Sequence, residues 1–382
     1  MRIYSSLFVG CIVLATSAAW AGVEYPANLY DANLAVQKPE QFAWNMFLAV
    51  NWPAKPDQNG VPNTRKSLNT SDLRVWETWI LEQEVYLPDG SKPRAFEAPS
   101  ITQRNLEKEL AGHRALGGHA TVMSFQNSKE LAQVLMGETK DNYGDPIWYD
   151  VAMNKPHYNY IVANELYNLD GQLKLLTMPT PNIKFPPEST EVKVTWRVLK
   201  KGRDDFSRYI TATALLAAPG SPTQTVTVGM TGMHIITKVL PWWTWATFEQ
   251  MDNPTTTNGG KPVIPTTRAA AVVNKEMQAK LSGTPLQFYE LRGTQINFTT
   301  DHGAPVYLSS TQMETFFQNS SCITCHAYAS IGPKGARILD PKIVIGAGVP
   351  DYTKFNTPLP NKRFVQLDFV WSLINAKPKK KN

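Results

Sequence analysis

The chain is poor in cysteine. Three occur in 382 residues, at positions 11, 322 and 325, which excludes a disulfide-stapled scaffold. Histidine is scarce as well, with six residues, so few all-protein metal sites can be built. Beyond the N-terminal stretch there is no run of about 18 consecutive apolar residues, and no later membrane-spanning helix is expected. Gly-x-Ser-x-Gly, His-Glu-x-x-His and phosphate-loop patterns are missing, which removes the common hydrolase, zinc-protease and nucleotide-binding signatures. Charge of one sign is lacking too. The net +6 falls to +1 once Arg2 and the tail lysines Lys377, Lys379, Lys380 and Lys381 are set aside. A near-neutral body argues against nucleic acid as the partner.

The N-terminus reads MRIYSSLFVGCIVLATSAAWAG. A basic Arg2, a short apolar stretch over 7–15 and the small-x-small Ala19-Trp20-Ala21 predict a signal peptide over 1–21. Export to the periplasm follows as an expectation, and Cys11 would leave with the signal. A lipoprotein reading of Phe8-Val9-Gly10-Cys11 fits less well, because hydrophobic sequence continues after the cysteine. The mature chain, rich in aromatics with eleven tryptophans in the sequence, reads as a packed globule.

The two remaining thiols fall within Cys322-Ile323-Thr324-Cys325-His326. Cys-x-x-Cys-His is the attachment pattern for c-type haem. On a helix, positions i and i+3 share a face, so both thiols can add to the vinyl groups on one porphyrin edge. The adjacent histidine then reaches the iron as proximal ligand. The competing readings are a redox Cys-x-x-Cys, half of a zinc site and a plain disulfide. The first wants a strand-to-helix junction, and the second a further ligand pair.

Around this motif, Thr311-x-x-Glu314 reads as a capping box opening a helix that carries Met313, Phe316 and Phe317. Ile331-Gly332-Pro333 breaks the chain downstream. RFVQLDFVWSLINA then spaces Phe364, Leu367, Trp371 and Ile374 as one helical face. This order over about 305–376 resembles the c-type cytochrome domain. The resemblance implies one covalently bound haem c on Cys322 and Cys325, His326 on the iron, and Pro333 orienting its imidazole. It departs from that family in one respect: no methionine or histidine follows His326 to supply the sixth ligand. GMHIITKVLPWWTWATFEQMDN, together with DFVWSL near the end, is similar to a group of exported bacterial single-haem proteins. That likeness supplies no reaction.

The expected fold class is α+β. A mixed N-terminal domain over 22–304 would hold helices to about 187 and an antiparallel β region over 188–304. A small all-α cytochrome c-like haem domain with a basic tail would follow over 305–382. Helices are predicted over 39–52, 71–90 and 154–171, and strands over 191–199, 208–217, 223–239 and 242–251. Residues 252–268 read as a polar loop.

In TVTVGMTGMHIITKV, alternation puts Val226, Val228, Met230, Gly232, His234 and Ile236 on one face, with Met233 opposite. His234 is therefore either a satisfied core histidine or a speculative distal ligand to the haem iron. Met230 is core filler or a thioether ligand, and Met313 is core. Glu249 and Asp252 read as structural. His113 and His119 lack partners for a metal cluster, and His302 is a lesser candidate for a haem-edge contact. The functions in play are electron transfer to a redox partner protein, a haem-dependent oxidoreductase with an open distal site, and a gas-binding sensor. The lysine tail reads as a solvated end, or as a weak docking contact with an acidic partner or an anionic membrane surface.

Overall fold

The computed structural model describes residues 23–68, 72–98, 123–124, 143–216, 224–256, 263–315, 317–355 and 364–380. The predicted signal-peptide stretch, His113, His119 and Phe316 lie outside them.

An eight-stranded sheet organises the chain. Its strands are β1 (Ile80–Leu81), β2 (Met123–Ser124), β3 (Trp148–Met153), β4 (Thr190–Val198), β5 (Thr211–Leu216), β6 (Gln224–Thr237), β7 (Thr244–Gln250) and β8 (Tyr289–Gln295). All pairings are antiparallel except β2 with β5. β6 is 14 residues long and serves three neighbours. β4 pairs with most of it, while β5 takes its first half and β7 its second. At the junction Tyr289 substitutes for ladder: its hydroxyl donates to Met230 O and accepts from Ile210 N. That satisfies two backbone groups that would otherwise be buried without partners.

One face of the sheet is covered by two helices. Pro39–Val50 begins with proline at its first position and buries Phe42, Met46 and Val50 four apart, as its pattern predicts. Phe47 stacks on Phe248 at 4.1 Å, and Trp44 meets the same ring edge-on at 5.0 Å. Trp44 Nε1 also donates to Asn274 Oδ1 at 2.9 Å, joining the helix Arg268–Lys280. Asn274 in turn bonds the Leu291 backbone at both N and O, so two helices and β8 are tied through one amide.

The expected division into a helical block, a β block and an all-α haem domain is overturned. Residues before 187 supply β1 and β3 to the sheet, and the predicted helix over 71–90 is broken. There a 3-10 turn (Trp76–Thr78) and one helical turn (Glu82–Val85) flank β1, whose backbone pairs with β3. The third predicted helix is two, Lys155–Ala163 and Leu169–Lys174, with Asn154 and Asn168 as caps. The predicted helix at 311 does not form. Glu249, buried on the sheet, takes both Thr311 N (2.6 Å) and Thr311 Oγ1 (2.9 Å), the groups a capping box would use. The terminal helix is absent as well. Val365–Gln366 (β10) instead pairs with Ser330–Ile331 (β9), and Trp371–Asn375 is a 3-10 turn. The only α-helical turns described beyond 305 are Cys322–Ala327 and Pro341–Val344. Ile323, Ala327 and Leu373 belong to the same hydrophobic core as Phe47 and Trp245.

The tail is held through its backbone. Leu169 N donates to Lys377 O (3.0 Å), Lys379 N to Asp170 Oδ2 (2.7 Å) and Lys380 N to Asp89 O (3.0 Å), while these lysines stay exposed. Among the described residues no helix is long and apolar enough to cross a membrane.

Candidate functional site

Directly opposed residues in a ladder share a face. On the face away from the two covering helices, register creates two cross-strand rows. Met153, Glu191, Ile236, Trp245 and Gln295 form one, and Val151, Lys193, His234, Thr247 and Gly293 the other. The Cys322–Ala327 helix sits on these rows.

Its N-terminal end is anchored by Gln295. The Gln295 amide donates to Ser321 Oγ (3.0 Å) and Val306 O (2.8 Å) and accepts from Ile323 N (3.1 Å). Ser321 is the N-cap, its hydroxyl accepting from Thr324 N. The C-terminal end is closed by β10 and the segment after it, which donate to carbonyls of the last turn and of the residues just beyond it. Trp371 Nε1 donates to Cys325 O (3.0 Å), Gln366 Nε2 to Ala327 O (3.0 Å) and Leu367 N to Ala329 O (2.9 Å). Trp245 packs against the His326 ring at 4.5 Å between centroids.

His326 Nδ1 lies 2.8 Å from Phe369 O. A carbonyl can only accept, so the ring proton is on Nδ1. Burial lowers the His326 pKa to about 4, so the imidazole is neutral and Nε2 carries the lone pair. This tautomer can bind a metal through Nε2. Pro333, expected to orient the ring, is instead in a separate 3-10 turn, Pro333–Gly335.

Cys322 and Cys325 are both reduced, and no disulfide joins them. Cys322 Sγ donates to Leu308 O at 3.3 Å, and burial pushes its pKa well above the usual thiol range. A redox dithiol needs the opposite shift. Among the described residues no three His, Cys, Asp or Glu side chains converge on a metal position, which leaves the half zinc site incomplete.

Both thiols, His326 and His234 line one cavity of about 1120 Å³, its open mouth included. Phe317, Ile345 and Trp371 supply apolar wall, and Glu191, Lys193 and Glu314 add charge. His234 Nε2 is buried and has no hydrogen-bond partner. The nearest carboxylate, Glu314 Oε2, is 3.8 Å away, beyond hydrogen-bond reach. Burial, then the charge of Lys193, holds the His234 pKa well below the ordinary imidazole range. A neutral ring with an unused nitrogen thus faces the space beside the two thiols.

Met230 is not there. β6 carries a bulge at Thr231, because Gly232 pairs with Thr195 and Met230 with Trp196. One extra residue reverses the alternation, so Val226, Val228 and Met230 share the face of Met233, opposite His234. Met313 is buried and His302 is exposed in a turn. Glu249 holds Thr311 and Asp252 pairs with Arg208 (2.8 Å), structural roles for both. Phe369 and Gln295 escaped the sequence reading, since a backbone carbonyl and a second-row amide leave no motif. Comparison with protein-family models, curated proteins and solved structures returned no match for this chain.

Proposed function

We propose that this chain is an exported single-haem c-type protein that transfers electrons to a redox partner protein. Cys322 and Cys325 would hold the porphyrin through thioether bonds, and His326 Nε2 would bind its iron. When bound, haem supplies one-electron exchange at iron, with the potential set by ligands, hydrogen bonds and burial. The observation that carries the reading is the convergence of four groups on one cavity: two thiols outside any disulfide, the Nδ1-tethered His326 and the unpartnered Nε2 of His234. An unsatisfied buried imidazole nitrogen is costly unless something occupies it. His234 would accordingly be a second protein ligand to the iron, taking the role that the sequence after His326 leaves unfilled.

The chain's own residues do the rest. Trp371 and Gln295 fix the ends of the motif helix, Phe369 O fixes the His326 ring, and Trp245, Phe317 and Ile345 exclude water. The test is expression of the full chain in cells competent for cytochrome c maturation. A haem-stained band on a denaturing gel, lost in Cys322→Ala/Cys325→Ala, is expected. A colourless wild-type band overturns the proposal. His234→Ala should turn a low-spin spectrum high-spin, and an unaltered spectrum removes His234 from the iron.

One observation favours a second reading. The Glu314 carboxylate beside His234 could pass a proton to or from that ring in a small-molecule oxidoreductase. Prompt spectral change on adding cyanide or carbon monoxide to the wild type would favour it over the electron carrier.

A further inference from the structure

Phe369 O belongs to an unusual turn. Val370 N donates back to Leu367 O at 3.0 Å, and the two central residues, Asp368 (φ 47°) and Phe369 (φ 69°), are both left-handed. Two successive positive φ values mark the I′ type, which favours Asn, Asp or Gly. Asp368 fits the first position. Phe369 has no such excuse, since a bulky side chain there is a steric outlier. Strain of this kind persists only where surrounding contacts impose it.

Those contacts converge on Asp368. Its Oδ1 lies 2.6 Å from Lys238 Nζ, and its Oδ2 accepts from Phe185 N at 2.8 Å. The pair is buried, with side-chain exposures of 4% for Lys238 and 8% for Asp368. Lys238 is held in turn by Pro241 O (2.8 Å) and stands over the Trp243 ring at 5.5 Å. On the other side of the turn, Leu367 N is fixed to Ala329 O.

We propose that the buried Lys238–Asp368 pair is a latch that holds the 367–370 turn left-handed, so that Phe369 O stays on His326 Nδ1 and tunes the iron ligand. The proposal rests on the haem reading of His326. Lys238 and Asp368 touch neither thiol nor imidazole, so they are positioning residues. Their effect runs through basicity. A firmly accepted Nδ1 proton makes the imidazole a stronger donor, which favours ferric iron. With the latch broken, the turn relaxes toward ordinary backbone angles, the hydrogen bond lengthens and the ferrous state gains.

Spectroelectrochemical titration of the haem-loaded full chain tests this. Asp368→Asn removes the charge yet keeps an acceptor for Phe185 N and a residue that tolerates left-handed backbone. Asp368→Asn and Lys238→Met should each shift the reduction equilibrium about tenfold toward the ferrous form, about 59 mV for one electron. The double variant should shift no further than the larger single, and Lys238→Arg should restore most of the wild-type value. Unchanged midpoints in both single variants, with haem bound, would overturn the latch. If neither variant folds, the wild type decides. Its ferrous His326 Nδ1 proton should be protected from solvent exchange, and exchange at the rate of an exposed imidazole sinks the proposal. A wild type without covalent haem would instead be a failure of the haem reading.

Discussion

Replacing Gln295 by leucine tests whether the sheet holds the motif helix. The side chain is 2% exposed at the end of β8. Its amide makes three hydrogen bonds, to Val306 O, Ser321 Oγ and Ile323 N. Leucine keeps the volume and removes all of them. Each typical bond contributes about 1 kcal/mol net, so the loss begins at about 3 kcal/mol. Ile323 N–H then remains buried without a partner, which raises the total to about 5 kcal/mol. With an unfolding entropy of about 2.1 cal/mol/K per residue over roughly 350 residues, 3 kcal/mol corresponds to about 4 °C. Thermal unfolding of haem-loaded wild type and Gln295→Leu, followed by circular dichroism in the same buffer, should show at least that drop. The covalent haem per chain should fall as well, because the helix presenting the thiols loses its N-terminal anchor. A variant melting within 1 °C of wild type at full haem content would refute the reasoning.

Phe248→Ala should destabilise the fold by about 3 to 5 kcal/mol in urea titrations, since it empties the stack between Phe47 and Trp44. Asp150 is buried, and burial raises its pKa to about 7, so the folded state holds a proton that the unfolded state releases near pH 4. Folded protein therefore binds more protons across this window, and the contribution of Asp150 to stability declines as pH rises from about 4 to about 7. Buried His157, lowered to about 3, contributes with the opposite sign, so the informative quantity is a difference. Asp150→Asn should gain on wild type by up to about 4 kcal/mol between pH 4 and pH 7 in urea unfolding, and parallel curves would contradict this. Gly90 has φ +65°, and a Cβ there would lie 2.6 Å from Pro378 O. Gly90→Val should therefore expel the lysine tail, seen as faster trypsin cleavage after Lys379 than in the wild type.

The motif was legible because chemistry fixes its spacing: two thiols one helical turn apart and an adjacent imidazole leave few alternatives. β4, β5, β6, β7 and the Pro39–Val50 helix were legible because alternation or helical spacing marks burial directly. Three features were not. The bulge at Thr231 leaves no trace in the residue types, yet it moves Met230 to the far side of the sheet. The spacing of Phe364, Leu367, Trp371 and Ile374 imitates a helix, whereas Val365 pairs with Ile331, Leu367 N donates to Ala329 O, and Lys238 holds the turn that follows. At 311 the buried carboxylate of Glu249 outcompetes a local cap. In each case a contact made across the fold decides a conformation that nearby residues would have set differently.

The clamp over the motif has a bearing on biogenesis. Phe369 comes 43 residues after His326, and Trp371 comes 46 after Cys325. As the polypeptide is synthesised, both thiols emerge well before the stretch destined to close over them. A ligating enzyme would thus meet a pliant substrate, and completion of the chain would seal the product in place.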